Sequence, residues 1–353
     1  MKKRIIIISS VLISILLVGG GYFVFFNKND DSQDINNKGY VNPSDAVIKV
    51  EYIDKLEVEF DSAIKVSDFI KSINGEVVDD YKINTRELGN KDIEFYYIND
   101  DGIKIKQNFT INIVDKTAPM VWLGGSYSVT EGSDVDLTKK IMCGDNVDNT
   151  PKCEIVGDYD MSKAGTYPLT FRATDNSNNI TEKKFNLYVN KPKNNGGGNN
   201  NYPGTRTYFS DVISKYKNSK TEIGLDISEW QGDVDFEKLK KAGVEFVILR
   251  VGSTRGITGE YFLDKKFEQN IKMANEVGIP VGIYFYSYAN SREKAIEDAR
   301  WVLDKIKDYK VDLPIAFDWE NWSFYNEFNL SFFGLTDMAE GFLDVFKEAG
   351  YEG

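Results

Sequence analysis

Residues 317–322 read F-D-W-E-N-W and follow the apolar run L-P-I-A. Glycosidic bond cleavage needs two carboxyl groups, one giving up a proton while the other stays charged. Positions i and i+2 of an extended strand share a face, roughly 6.5 to 7 Å apart along the backbone. Asp318 and Glu320 are therefore expected to present their acids together, with Trp319 turned the other way. Asp226 follows I-G-L at the end of an earlier strand candidate and is placed to converge on the same cavity. Three acids in a low-dielectric cleft repel one another, so one is expected to keep its proton near neutral pH. A D-x-E triplet alone also fits a solvated strand face; the apolar lead-in is what raises the chemical reading.

Aromatic residues stand near these acids in sequence: Trp230, Tyr284, Tyr286, Trp319 and Trp322. Each alone reads as core packing, whereas together beside carboxylates they suit the flat faces of sugar rings. Arg250, inside F-V-I-L-R-V-G, needs a partner within its strand, and an active-site acid is one candidate. The chain has no histidine, which removes His-assisted serine or cysteine catalysis and makes ordinary zinc sites a poor fit. Neither a cofactor nor a metal is called for. The two cysteines, Cys143 and Cys153, could close a local disulfide in an oxidising exterior or remain unpaired small hydrophobes. Net charge is -12, mostly from residues 221–353, which argues against a nucleic-acid partner.

The elements that must position the acids lie in residues 219–353. Strand candidates I-G-L-D-I-S, F-V-I-L-R-V-G, I-P-V-G-I-Y-F-Y-S and L-P-I-A-F-D-W-E alternate with helix candidates at 236–243, 264–277 and 291–309, then 335–349. This repeated β-α rhythm predicts a parallel sheet, with a TIM-like β/α barrel as the leading solution and its site at the carboxyl ends of the strands.

Upstream, residues 46–117 and 118–190 show short alternating segments that predict two β-sandwich domains. They form an internal repeat: L-G-N-K-D-I-E-F at 88–95 matches A-G-T-Y-P-L-T-F at 164–171, and N-F-T-I-N-I at 108–113 matches K-F-N-L-Y-V at 184–189, both at an offset of 76 residues. Asp145 and Asp148 read as solvated turn acids, with calcium as the lesser alternative. Residues 191–218 are an Asn/Gly-rich linker and lead-in, and 27–45 a polar spacer. At the N-terminus, residues 1–26 carry a basic flank followed by an uncharged stretch from Ile5 to Phe26, about 33 Å as a helix. The expectation is a transmembrane anchor with the N-terminus cytoplasmic and everything else outside the cell, so the membrane is an expected partner and the cell membrane the expected location.

Two resemblances refine this picture. The repeats resemble bacterial immunoglobulin-like domains of surface proteins, notably in D-K-T-A-P at 115–119 and A-T-D-N-S-N-N at 173–179. The C-terminal segment resembles glycoside hydrolase family 25, the Chalaropsis-type lysozymes or N-acetylmuramidases, through G-L-D-I-S-E-W-Q-G-D-V-D-F at 224–236, F-V-I-L-R-V-G, D-x-x-F-x-x-N from Asp264 to Asn270, G-I-P-V-G-I-Y-F-Y-S and the D-x-E site. That resemblance implies peptidoglycan as substrate and cleavage of the β-1,4 bond between N-acetylmuramic acid and N-acetylglucosamine. It also implies Glu320 as general acid, with Asp318 and Asp226 as the other active-site acids, and Trp230, Arg250, Tyr284, Tyr286 and Trp322 in substrate binding. Many members have histidine near Phe285, where this chain has an aromatic run. The chain stops at Y-E-G after four clear strands, so a completed barrel would need more, and an exposed strand edge and a partly uncovered last helix are expected. The alternative class is a non-catalytic, membrane-anchored wall-binding or stalk protein.

Overall fold

The computed structural model describes residues 4–8, 46–192, 207–257, 259–325 and 327–353. They fall into two compact units, one of residues 16–117 and one of residues 1–15 with 118–353.

In the first unit a long antiparallel hairpin, Gly89–Asn99 with Lys104–Val114, is flanked by Gly75–Val77 and Glu57–Glu59 in a four-stranded sheet. Strand alternation sends Ile93, Phe95, Tyr97, Phe109 and Ile111 to one face, where they form the core with Val66 and Phe69. Short paired segments, Val50–Tyr52 with Ile70–Ile73 and Ile64–Lys65 with Lys82–Ile83, stand where a full second sheet would make a sandwich. Residues 118–190 repeat the plan: a sheet ordered Ser126–Thr130, Ile180–Asn190, Gly165–Thr174, Lys152–Val156, plus the pair Met120–Val121 with Cys143–Gly144. Leu169, Phe171, Phe185 and Leu187 fill its core, and a disulfide joins Cys143 to Cys153. Asp145 and Asp148 differ from the solvated turn acids expected. Both are buried, and they accept backbone N–H groups: Val147 and Asp148 donate to Asp145, Thr150 and Asn176 to Asp148.

The C-terminal sheet is built from β1 (Arg4–Ile8), β2 (Thr221–Ile227), β3 (Phe246–Thr254), β4 (Tyr261–Leu263), β5 (Val281–Tyr286) and β6 (Ile315–Asp318). Its parallel order is β1-β2-β3-β5-β6, with β4 antiparallel to β3. Helices α1 (Phe236–Lys241), α2 (Phe267–Val277), α3 (Arg292–Ile306) and α4 (Phe332–Glu348) follow or join the strands. Alternate strand residues Val247, Leu249, Ile283, Phe285 and Ile315 meet Phe267, Ile271, Ala299, Val302, Phe342 and Phe346 in one continuous core. Each large side chain so buried contributes about 1.5 to 3 kcal/mol. Gly278 ends α2 with φ at 68°, a left-handed conformation that lets the chain turn directly into β5. Ser291 caps α3 by accepting the backbone N–H of Lys294.

The membrane-anchor expectation is overturned. Among the described residues no helix is long and apolar enough to cross a membrane, and Arg4–Ile8, where the span was expected to begin, form β1 instead. β1 pairs in parallel with β2, from Arg4 beside Thr221 to Ile8 beside Leu225. Four successive isoleucines are β-branched and suit a strand, and the edge of β2 supplies the hydrogen-bonding ladder. The single-pass cell-membrane location rested on that helix and is withdrawn with it. The rest of the expected span (9–26), the spacer (27–45) and residues 193–206 of the expected linker lie outside the described residues.

The strand edges and the last helix, expected to be exposed in part, find partial cover. β1 occupies the β2 edge, and beyond β6 the backbone N–H of Ile315 donates to the carbonyl of Glu352 at 2.8 Å. Helix α4 lies against α3: Met338, Gly341, Phe342 and Phe346 are buried, and Arg292 of α3 bonds both Asp337 at 2.9 Å and Asp344 at 3.0 Å.

Candidate active site

The acids stand on the face of the sheet away from the helices. Because Ile283 and Phe285 enter the helix-side core, Tyr284 and Tyr286 of β5 face the other way. Parallel register sets Arg250 beside Tyr284 and Asp318 beside Tyr286, and Asp226 of β2 beside Ile248. A bulge in β3 between Arg250 and Gly252 shifts the following residues by one, so that Ser253 comes beside Tyr286 and donates its hydroxyl to the Tyr286 carbonyl at 2.7 Å.

The carboxyl groups of Asp318 and Glu320 lie close enough to act on each other. Two neighbouring carboxyl groups cannot both ionise without mutual cost, and the surroundings favour a retained proton on Asp318. Burial, then the charges of Glu320 and Asp226, push Asp318 up to about 7, with Arg250 pulling weakly the other way. The Asp226 carboxylate hydrogen-bonds the Tyr284 hydroxyl, and burial with that neighbouring charge drives the phenol well above its ordinary range. Tyr286 is pushed up to about 12, chiefly by burial, then by Tyr288, Glu320 and Asp318. Both tyrosines are therefore neutral hydroxyls at physiological pH. Asp318 is half-buried and Glu320 exposed, so the pair has one protected member and one open to solvent.

Arg250 turns to partners that sequence reasoning missed. Its Nε donates to Asp264 at 2.8 Å and its Nη2 to Glu229 at 3.0 Å. Asp264, fully buried, also accepts the backbone N–H groups of Glu229 and Lys266. This one carboxylate thus ties the turn after β2 to the start of α2. Its signal in the sequence was an acid opening the D-x-x-F-x-x-N motif without an assigned task.

A second network fixes the strand end carrying the acids. The Ser287 backbone N–H donates to the Asp318 carbonyl at 2.8 Å, and its hydroxyl donates to Asp298 at 2.6 Å. Tyr261 donates to the other oxygen of Asp298 at 2.8 Å, and burial raises the pKa of Asp298. Asn321 donates to the Ser287 carbonyl at 2.7 Å, and the Trp319 indole N–H to the Ala289 carbonyl at 2.9 Å. Asp298 was detectable as a lone acid on the helix stripe of Ala295, Ala299 and Val302.

Of the aromatic residues named from sequence, Tyr284 and Tyr286 adjoin the acids. Trp230 lies in a turn after β2 and is 78% exposed. Trp322 is 42% exposed; its backbone N–H donates to the Glu320 carbonyl at 2.8 Å, and its ring meets Trp319 edge-on at 5.2 Å. Phe285 is fully buried against Tyr261 and Trp301.

Comparison with known proteins places this geometry. Residues 225–352 match the model of glycosyl hydrolases family 25. The autolytic lysozyme of Clostridium acetobutylicum is 31% identical over 97 residues, covering 28% of this chain and 28% of that protein. The uncharacterized protein YegX of Escherichia coli is 28% identical over 102 residues, 29% of this chain and 37% of that protein. The chain therefore spans well under half the length of these curated relatives. Among solved structures, a family 25 glycosyl hydrolase from Bacillus anthracis is 23% identical, covering 36% of this chain and 55% of that one with a TM-score of 0.30. The modular autolysin LytC from Streptococcus pneumoniae, solved with a synthetic peptidoglycan ligand, is 26% identical, covering 52% and 41% with a TM-score of 0.32. The segment that matches glycosyl hydrolases family 25, residues 225–352, contains Asp226, Arg250, Asp264, Asp318 and Glu320.

Proposed function

We propose that the chain is a peptidoglycan hydrolase cleaving the β-1,4 bond between N-acetylmuramic acid and N-acetylglucosamine. The observation that carries the reading is the placing of Asp318 beside Glu320 and Asp226, where burial and their charges push Asp318 up to about 7. Family membership and the autolytic lysozyme among the relatives support it. Glu320, the exposed member, protonates the leaving glycosidic oxygen as the bond to the anomeric carbon breaks. The proton held on Asp318 passes to the neighbouring Glu320, which leaves Asp318 ionised as positive charge develops on the sugar. Asp318 then stabilises that charge or orients the substrate N-acetyl group. Water completes the reaction by adding hydroxide to the anomeric carbon and returning a proton to the carboxyl pair. Asp226, hydrogen-bonded to Tyr284, keeps negative charge next to Asp318 and positions substrate. Trp230 and Trp322 supply exposed rings for neighbouring sugars.

The test is product identity. Peptidoglycan incubated with the chain, reduced with borohydride and hydrolysed, is expected to yield N-acetylmuramic acid as the reduced terminal sugar. Reduced N-acetylglucosamine, or no new reducing ends, overturns the assignment.

A further inference from the structure

The domain at residues 118–190 reaches the loop that follows the acids. The backbone N–H groups of Phe332 and Phe333 donate to the carbonyls of Asp145 and Asn146 at 2.8 and 3.1 Å. A Cβ on Gly144 would lie 2.7 Å from the Tyr325 ring and 2.9 Å from Phe332, so only glycine allows this approach. Tyr325 is 1% exposed and stacks on Phe332 at 5.6 Å. At the rim of this dry contact the environment changes. Trp122 meets Trp322 at 6.5 Å with ring planes 37° apart, and both remain 42% exposed. Trp122 also meets Phe332 edge-on at 5.5 Å, which fixes its place. Rings recruited only to seal the contact would lie inside with Tyr325; these two show half-open faces to solvent, one of them two residues from Glu320.

We propose that Trp122 is a substrate-binding residue, extending the aromatic strip from Trp322 onto the preceding β-domain and stacking on a sugar ring of a long peptidoglycan glycan strand. The proposal rests on the muramidase reading and adds a subsite to it. Continuity with the acid pair identifies the occupant: a polymer held at Glu320 and continuing over Trp322 meets Trp122 next. The β-domain is then part of the glycan-binding surface.

The experiment measures equilibrium binding of soluble peptidoglycan glycan strands of graded length to the full chain carrying Glu320→Gln, which stops turnover. Adding Trp122→Ala is expected to weaken long strands roughly tenfold while leaving disaccharide and tetrasaccharide binding unchanged. Trp122→Phe, which keeps a flat ring, is expected to restore most of the loss. Equal weakening of short and long ligands, no loss for long strands, or no rescue by Phe overturns the proposal. Failure of the muramidase reading shows separately, as absence of new muramic acid ends from the unsubstituted chain even where long-strand binding depends on Trp122.

Discussion

At the scale of single residues, the proton retained by Asp318 links reactivity to stability. Asp318 titrates near 7 in the folded chain against about 3.9 when unfolded. Between those values the unfolded chain releases a proton that the folded chain keeps, so stability falls as pH rises from about 4 to 7. Asp318→Asn removes the penalty. It is expected to raise stability in urea at pH 7.5, by no more than about 4 kcal/mol, and to leave stability near pH 4 almost unchanged. Stabilisation at pH 4 equal to that at pH 7.5 contradicts the assignment. Asp264 has the opposite character. Asp264→Ala strands Arg250 and orphans the Glu229 and Lys266 backbone N–H groups, and a loss of about 3 to 5 kcal/mol is expected in the same measurement. Glu229→Gln, at a more open position, is expected to cost far less. The acids were legible from sequence because strand periodicity fixes which side chains share a face. The choice by Arg250 of Asp264 and Glu229 was not, since partner selection depends on how β2, β3 and α2 meet in space.

Elements carry the next level of information. The β-α alternation of residues 219–353 could be read because each apolar strand run is followed by a helical stripe and a turn residue such as Gly278. Helix ends moved by a few residues: 291–309 narrowed to Arg292–Ile306 and 335–349 became Phe332–Glu348, begun by the Ser331 cap. The isoleucine run misled because a membrane helix and a parallel strand can both be continuous apolar runs, and periodicity does not separate them. Nor did sequence reveal the docking of 142–146 on 322–333, where a glycine supplies close approach and carries no side chain to signal it. Gly144→Leu is expected to push Tyr325 and Phe332 apart and destabilise the chain by about 1 to 3 kcal/mol, read by thermal unfolding. The Cys143–Cys153 disulfide closes this same docking segment. Replacing both cysteines by serine is expected to cost about 2 to 3 kcal/mol, the loop entropy released on opening so short a ring. An unchanged midpoint for either variant contradicts the view that this contact is rigid and well packed.

Across the whole molecule, the chain is strongly acidic and the substrate proposed for it also carries carboxylates, so long-range attraction does not bring them together. Recognition falls to local contacts, the exposed tryptophans and the carboxyl pair with its one half-buried member, and raising salt is expected to strengthen rather than weaken wall binding. The most direct test of the account is the rate of reducing-end release from purified peptidoglycan between pH 4 and 9, for the chain and for Glu320→Gln. Release is expected to decline as pH passes 7, where Asp318 loses its proton, and to fall at least about a hundredfold in the variant at every pH. Release that persists undiminished at pH 9, or a Glu320→Gln chain that cleaves at the original rate, contradicts it.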